Sequence, residues 1–191
     1  MATVTKRHTV DEYFEVEFAS EERHEYIDGE IIQLVGGSYS HNHIQMNLYR
    51  RLLRDFDEPN FRVCGESTRI KVGDPVSYLF PDAALAAGRG ELEDRRRDTL
   101  LDPLAVFEIL SPSTERYNRG RKAELYRSIN SLQYYVMISQ EEIAVECFSR
   151  RPDGQWLQKR FIGLDASVPF ESLNWSLSLA ELYRYVELST E

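Results

Sequence analysis

Three residues in this chain have the chemistry and the setting to attack a phosphodiester. Asp82 directly follows Pro81, Glu108 interrupts the apolar run Leu104-Ala105-Val106-Phe107-Glu108-Ile109-Leu110, and Lys122 sits in a charged stretch that reads as helix. A carboxylate in an apolar strand is costly unless it is paired or bound to a cation. Carboxylate oxygens suit hard cations such as magnesium or manganese. Such an ion polarises a phosphoryl oxygen and helps to deprotonate a water. If the strands of Asp82 and Glu108 are neighbours, both acids reach one ion, and the carbonyl of Ile109 adds a main-chain ligand. Lys122 then places positive charge where negative charge develops on the attacked phosphate. Each residue also has an ordinary alternative: a turn cap for Asp82, a buried arginine's partner for Glu108, a solvated surface position for Lys122.

Further candidates surround these three. Arg119, Lys122 and Tyr126 stand three and four residues apart, a spacing that puts them on one helix face. His41 opens a helix, where it is placed to act as a base or touch a phosphate, and His43 does not share its face. Glu25 and Glu30 flank the Asp28-Gly29 turn, and Glu30 is the preferred supporting acid of the two. Gly36-Gly37-Ser38 lacks the lysine of a nucleotide-binding loop. Ser111 and Ser113 have no histidine partner for nucleophilic chemistry. Arg95-Arg96-Arg97 lies among acids and reads as a mixed-charge loop.

The elements that must position these residues are legible in outline. Thr9-Val10-Asp11-Glu12 is a capping box and predicts a short helix to about residue 17. Residues 24–35 read as a hairpin about Asp28-Gly29. Ser40 is the predicted cap of a helix to about residue 55, with Ile44, Leu48, Leu52 and Phe56 on its inner face. Strands are predicted over 61–72, 78–87, with Pro81 at an edge or bulge, and 104–110. A helix over 117–129 leads to a buried strand over 134–138. A right-handed crossover makes that strand parallel to the one bearing Glu108. A second hairpin about Arg151-Pro152-Asp153-Gly154 and a terminal helix over 178–186 complete the chain, with Tyr183 and Tyr185 either at a dimer interface or on the core. The expected architecture is one α/β domain over 1–191, with a mixed central sheet and added terminal hairpins and helices.

Composition sets broad bounds. The 191 residues are 42% apolar and 12% aromatic, enough for a folded core. No stretch approaches a membrane span, and the polar N-terminus has no signal core. Two distant cysteines, Cys64 and Cys147, read as buried thiols of a reducing compartment. A cytoplasmic protein with no membrane partner is expected. The net charge of −9 counts against a nucleic-acid partner. The segment 115–127 reverses it locally, with five basic residues against two acids, which permits a phosphate-binding face.

The stretches Glu25-Tyr26-Ile27-Asp28-Gly29-Glu30-Ile31-Ile32, His41, Phe80-Pro81-Asp82, Phe107 to Thr114, Asn118 to Lys122 and Tyr126-Arg127 resemble the Uma-two family of the PD-(D/E)XK nuclease superfamily. The resemblance covers about residues 9–186. It implies a restriction-endonuclease-like core in αβββαβ order, an endonuclease that hydrolyses DNA with Mg2+ or Mn2+, and a homodimer. It also implies that the catalytic lysine has moved from the glutamate's strand to the following helix, which Lys122 matches. The family often carries acids where Asn118 and Tyr134 stand, near the expected site. Their loss bears on a second cation, while Asp82, Glu108 and Lys122 remain for one-cation hydrolysis. The rival expectation is a nuclease-fold module, weak or inactive in catalysis, that binds DNA or a protein partner. An RNA-directed hydrolase is the third.

Overall fold

The computed structural model describes residues 7–93, 96–112 and 114–188, without the side chains of Arg96 and Arg97. Most of the Arg95-Arg96-Arg97 reading and the Ser113 reading therefore lie outside the described residues. In chain order the helices are α1 (Val10–Ala19), α2 (Tyr39–Asp55), α3 (Glu115–Tyr117), α4 (Ala123–Arg127) and α5 (Leu179–Leu182). A π-helical turn, Asn118–Lys122, joins α3 to α4. The strands are β1 (His24–Ile27), β2 (Glu30–Gln33), β3 (Phe61–Gly65), β4 (Arg69–Val72), β5 (Ser77–Leu79), β6 (Ala83–Ala87), β7 (Leu92–Glu93), β8 (Arg96–Leu100), β9 (Pro103–Leu110), β10 (Tyr134–Ser139), β11 (Ala144–Arg150), β12 (Trp156–Ile162), β13 (Ser167–Phe170) and β14 (Trp175–Ser178).

The central sheet runs β12-β11-β10-β9-β6-β3. Its β9 and β10 are parallel, joined by the 115–127 helical segment, and its other pairings are antiparallel. Followed through this sheet, α2-β3-β6-β9-helix-β10 is the expected αβββαβ order, and the chain has the restriction-endonuclease-like fold. A second sheet, β2-β1-β5-β4-β8-β7, lies against it. The face of the central sheet carrying Val106, Leu110, Tyr135 and Met137 packs with Ile27, Ile70, Leu79 and Leu100 of the second sheet. Its opposite face packs on Ile44, Leu48 and Leu52 of α2 and on the β13–β14 hairpin with α5.

Two predicted strands are each two strands of different sheets. The run 61–72 breaks between β3 and β4, and the run 78–87 breaks at Phe80-Pro81-Asp82. Proline has no N–H for the ladder, and here it marks the point where the chain leaves the second sheet and enters the central one. Asp82 thus stands at the mouth of β6, on the seam between the sheets. Other local expectations hold: Thr9 and Glu12 form the reciprocal capping box, and Asp28 and Gly29 take φ of 49° and 84° at the hairpin turn. The cap of α2 is Ser38 rather than Ser40, with the Ser38 hydroxyl accepting from the His41 N–H at 3.1 Å. The terminal helix is confined to Leu179–Leu182. Tyr183 packs on the core, its hydroxyl bonded to the Ser139 and Ala144 carbonyls, whereas Tyr185 is exposed. Among the described residues no helix is long and apolar enough to cross a membrane.

Candidate active site

Asp82, Glu108 and Lys122 all line one cleft of about 530 Å³ on the seam between the sheets, together with His41, Ile109 and Asn118. The register explains the meeting. Ala83 pairs with Phe107 across β6 and β9, so Asp82 enters its strand beside Glu108. The Ile109 N–H donates to Asp82 Oδ2 at 2.6 Å.

One stripe of α2 holds Asp82 from the other side. His41 Nε2 lies 3.0 Å from Asp82 Oδ1. Gln45 and Tyr49, one and two turns further on, donate to the Asp82 main-chain carbonyl at 3.2 and 2.6 Å. Residues four apart stack on one helix face, so a single turn-by-turn stripe fixes both the carboxylate and its backbone. Gly37 leaves the space that the His41 ring occupies: a Cβ there would lie 2.6 Å from His41 Cδ2. Burial opposes a charged His41 ring. The hydrogen bond and charge of Asp82, with Glu66 further off, outweigh it and lift the imidazole above its usual 6.5.

Lys122 is 3% exposed, which rules out the surface alternative. Its ammonium meets three acceptors: Glu108 Oε1 at 2.6 Å, Glu25 Oε1 at 2.9 Å and the Phe80 carbonyl at 3.1 Å. Glu108 is therefore a buried partner of a lysine, not of an arginine. Glu25 is fully buried, and its remaining contacts come from the Phe80 N–H and the Tyr117 hydroxyl. Burial pushes the Glu108 carboxyl up to about 8; Lys122 opposes this, and the charges of Asp82 and Glu25 add to it. Lys122 itself is held above its usual value, because its two carboxylate partners outweigh burial.

A stability signature follows from Glu108. An unfolded chain releases this proton near 4.5, whereas the folded protein holds it to about 8. The native state therefore binds a proton that the unfolded state has lost. The resulting stability is complete below about pH 4.5 and is lost as pH rises to about 8, by up to about 1.4 kcal/mol per pH unit. In chelator, the melting temperature of Glu108→Gln is expected to lack this part of the wild-type decline between pH 5 and 8. Parallel profiles for the two proteins would contradict it.

Two supporting residues, Glu30 and Arg119, fall elsewhere than expected. Glu30 does not enter the site: it sits on the edge strand β2 and pairs with Arg121. Glu25, on β1 between β2 and β5, is the acid turned inward. Arg119 pairs with Glu115 and Glu146 at 2.6 and 2.7 Å. The wider π turn takes it off the Lys122 face, which the regular helical spacing did not allow for. Tyr126 does share that face: its ring centroid lies 5.7 Å from the Lys122 ammonium, but it is buried and does not line the cleft. Of the two departures from the family pattern, Asn118 lines the cleft. Tyr134 lies on the opposite face of the central sheet from Glu108, bonded to Ser172, so it is not near the site. Gln45, Tyr49 and Tyr117 escaped the sequence reading. The four-residue spacing of His41, Gln45 and Tyr49 beside the apolar stripe of α2 was the available signal.

Comparisons with known proteins give the family and the fold. The family model Uma2, described as "Putative restriction endonuclease", matches residues 10–181. Two uncharacterized proteins of Synechocystis, sll1609 and slr1290, are 30% and 29% identical to this chain, over 89% and 91% of it and 96% and 90% of their own lengths. The crystal structure of a protein described as a putative nuclease belonging to DUF820, from Anabaena variabilis, superposes with a TM-score of 0.72 at 23% identity, covering 88% of this chain and 93% of that one. With its fold and nearly all of its length matched, this chain belongs to the Uma2 family.

Proposed function

We propose that this protein hydrolyses DNA phosphodiester bonds, with a Mg2+ or Mn2+ ion held by Asp82 and Glu108. The supporting observation is the convergence of two carboxyl groups on one cleft: Asp82 enters β6 beside Glu108 of β9, with the Lys122 ammonium 2.6 Å from Glu108 Oε1. Among the described residues no three His, Cys, Asp or Glu side chains form a ready-made metal cage. Two carboxylates fit magnesium nonetheless, since it keeps several waters and takes few protein ligands. When bound, the ion would polarise the phosphoryl group and activate a water.

The chain's own residues supply the rest. Asp82 is fixed by His41 and the Ile109 N–H. Lys122 brings a buried positive charge to the wall of the cleft, where low polarity makes it count. His41 lines the same cleft and holds Asp82 through Nε2. A second reading is a nuclease-fold module that binds DNA or a protein partner without cutting. The buried ion pairs of Lys122 with Glu25 and Glu108, and its hydrogen bond to the Phe80 carbonyl, favour it, because they hold the ammonium within the protein.

Nicking of supercoiled plasmid decides between them. Cleavage is expected with Mg2+ or Mn2+ and none in chelator, alongside calorimetric binding of Mn2+. Absence of both across single-stranded, duplex and RNA substrates would leave the binding module. The homodimer belongs to this proposal and is measured by light scattering.

A further inference from the structure

Glu25 is fully buried, yet it is neither spent on a distant structural pair nor open to the cleft, whose lining does not include it. Its oxygens are already used. Oε1 takes the Phe80 N–H at 2.9 Å and meets the Lys122 ammonium at 2.9 Å, and Oε2 takes the Tyr117 hydroxyl at 2.6 Å. Lys122 in turn donates to the Phe80 carbonyl at 3.1 Å. Both main-chain groups of Phe80 are therefore gripped by the Glu25–Lys122 pair, two residues before Asp82. Glu25 sits on β1, an interior strand of the second sheet, so the grip is anchored in the layer that the central sheet packs against.

We propose that Glu25 is a positioning residue: it holds the Lys122 ammonium at the cleft wall and fixes the Phe80 backbone that delivers Asp82, without itself binding a cation. Its catalytic consequence rests on the nuclease reading above. With Glu108 holding an ion, Lys122 would keep Glu25 and the Phe80 carbonyl as partners and turn its freed side to a phosphate oxygen. Without Glu25 the ammonium loses the partner that keeps it in place during that exchange.

The test compares Glu25→Gln, nearly isosteric, with Asp82→Asn. In Glu25→Gln, kcat for plasmid nicking is expected to fall about 10–100-fold, the range for residues that orient a site from behind. KM should stay within about twofold, and Mn2+ affinity by calorimetry should change less than about threefold, on the ground that a residue acting through another leaves binding in place. Asp82→Asn should lose measurable Mn2+ binding. Loss of Mn2+ binding in Glu25→Gln to the same extent, or an unchanged kcat, would overturn the proposal.

A second measurement needs no activity. The melting temperatures of Glu25→Gln, Lys122→Met and the double variant form a cycle, in which coupled residues give less than additive effects. The drop for the double variant should be smaller than the two single drops together, and additive drops would overturn the proposal. Should Lys122→Met fail to fold, Lys122→Gln takes its place. A wild-type protein that neither cuts nor binds Mn2+ would defeat the nuclease reading, while this cycle would still decide whether Glu25 holds Lys122.

Discussion

Replacing Asp82 by alanine is expected to remove cation-dependent cleavage, with kcat/KM falling by about 10³-fold or more, roughly 4 kcal/mol of barrier. The size follows from what the side chain does. Loss of one of two proposed carboxylate ligands forfeits both the polarised phosphoryl group and the activated water, each worth several kcal/mol. The fold should survive. Asp82 lies at the mouth of β6, and its main-chain carbonyl keeps Gln45 and Tyr49 as donors. What the alanine leaves unpaired is the Ile109 N–H and the His41 ring. Asp82→Asn is the companion variant, because its amide oxygen still accepts from Ile109 while the charge is gone. Both should melt within a few degrees of wild type and both should fail to nick plasmid. Nicking by either at the wild-type rate would remove Asp82 from the chemistry.

Lys122→Met is expected to be the most destabilising single change in the site, by about 3–5 kcal/mol, because it strands a buried carboxylate partner. Here Glu25, Glu108 and the Phe80 carbonyl lose the same partner together. For a chain of this size, that corresponds to a melting temperature lower by roughly 6–20 °C. Removing charge from the other side should recover part of the loss. Lys122→Met with Glu25→Gln is expected to melt above Lys122→Met alone, since a neutral cluster is far cheaper to bury than an unpaired anion. Wild-type melting of the single variant would mean that the cluster is already neutral.

The central architecture was legible because its signals are local and redundant. The Glu12 capping box, the Asp28-Gly29 turn, the inner stripe of α2 and the apolar run around Glu108 each state their element within a few residues. Asp82 and Glu108 stood out for the opposite reason: each breaks the pattern around it, whereas Lys122 stands among other charges. The second sheet was hidden, because nothing in 61–72 or 78–87 announces that one run of β-forming residues serves two layers. Pro81 carried that information, and a bulge was the more modest reading of it. Glu25 and Glu30 are the same residue type on the same hairpin, and only pairing with β5 separates the inward acid from the outward one. Arg119 was misplaced because sequence spacing assumes a uniform helix.

That non-uniformity has a consequence for lineage. In an α-helix each residue advances the azimuth by about 100°, and π turns occur mostly as single insertions within α-helices, frequently at functional sites. The Asn118–Lys122 turn thus works as a phase adjuster, setting the heading of every side chain after it. A deletion of one residue there would leave composition, charge and helix content almost untouched, yet swing the lysine away from both acids. Descendants of such an event would still align well with this chain while having lost the chemistry.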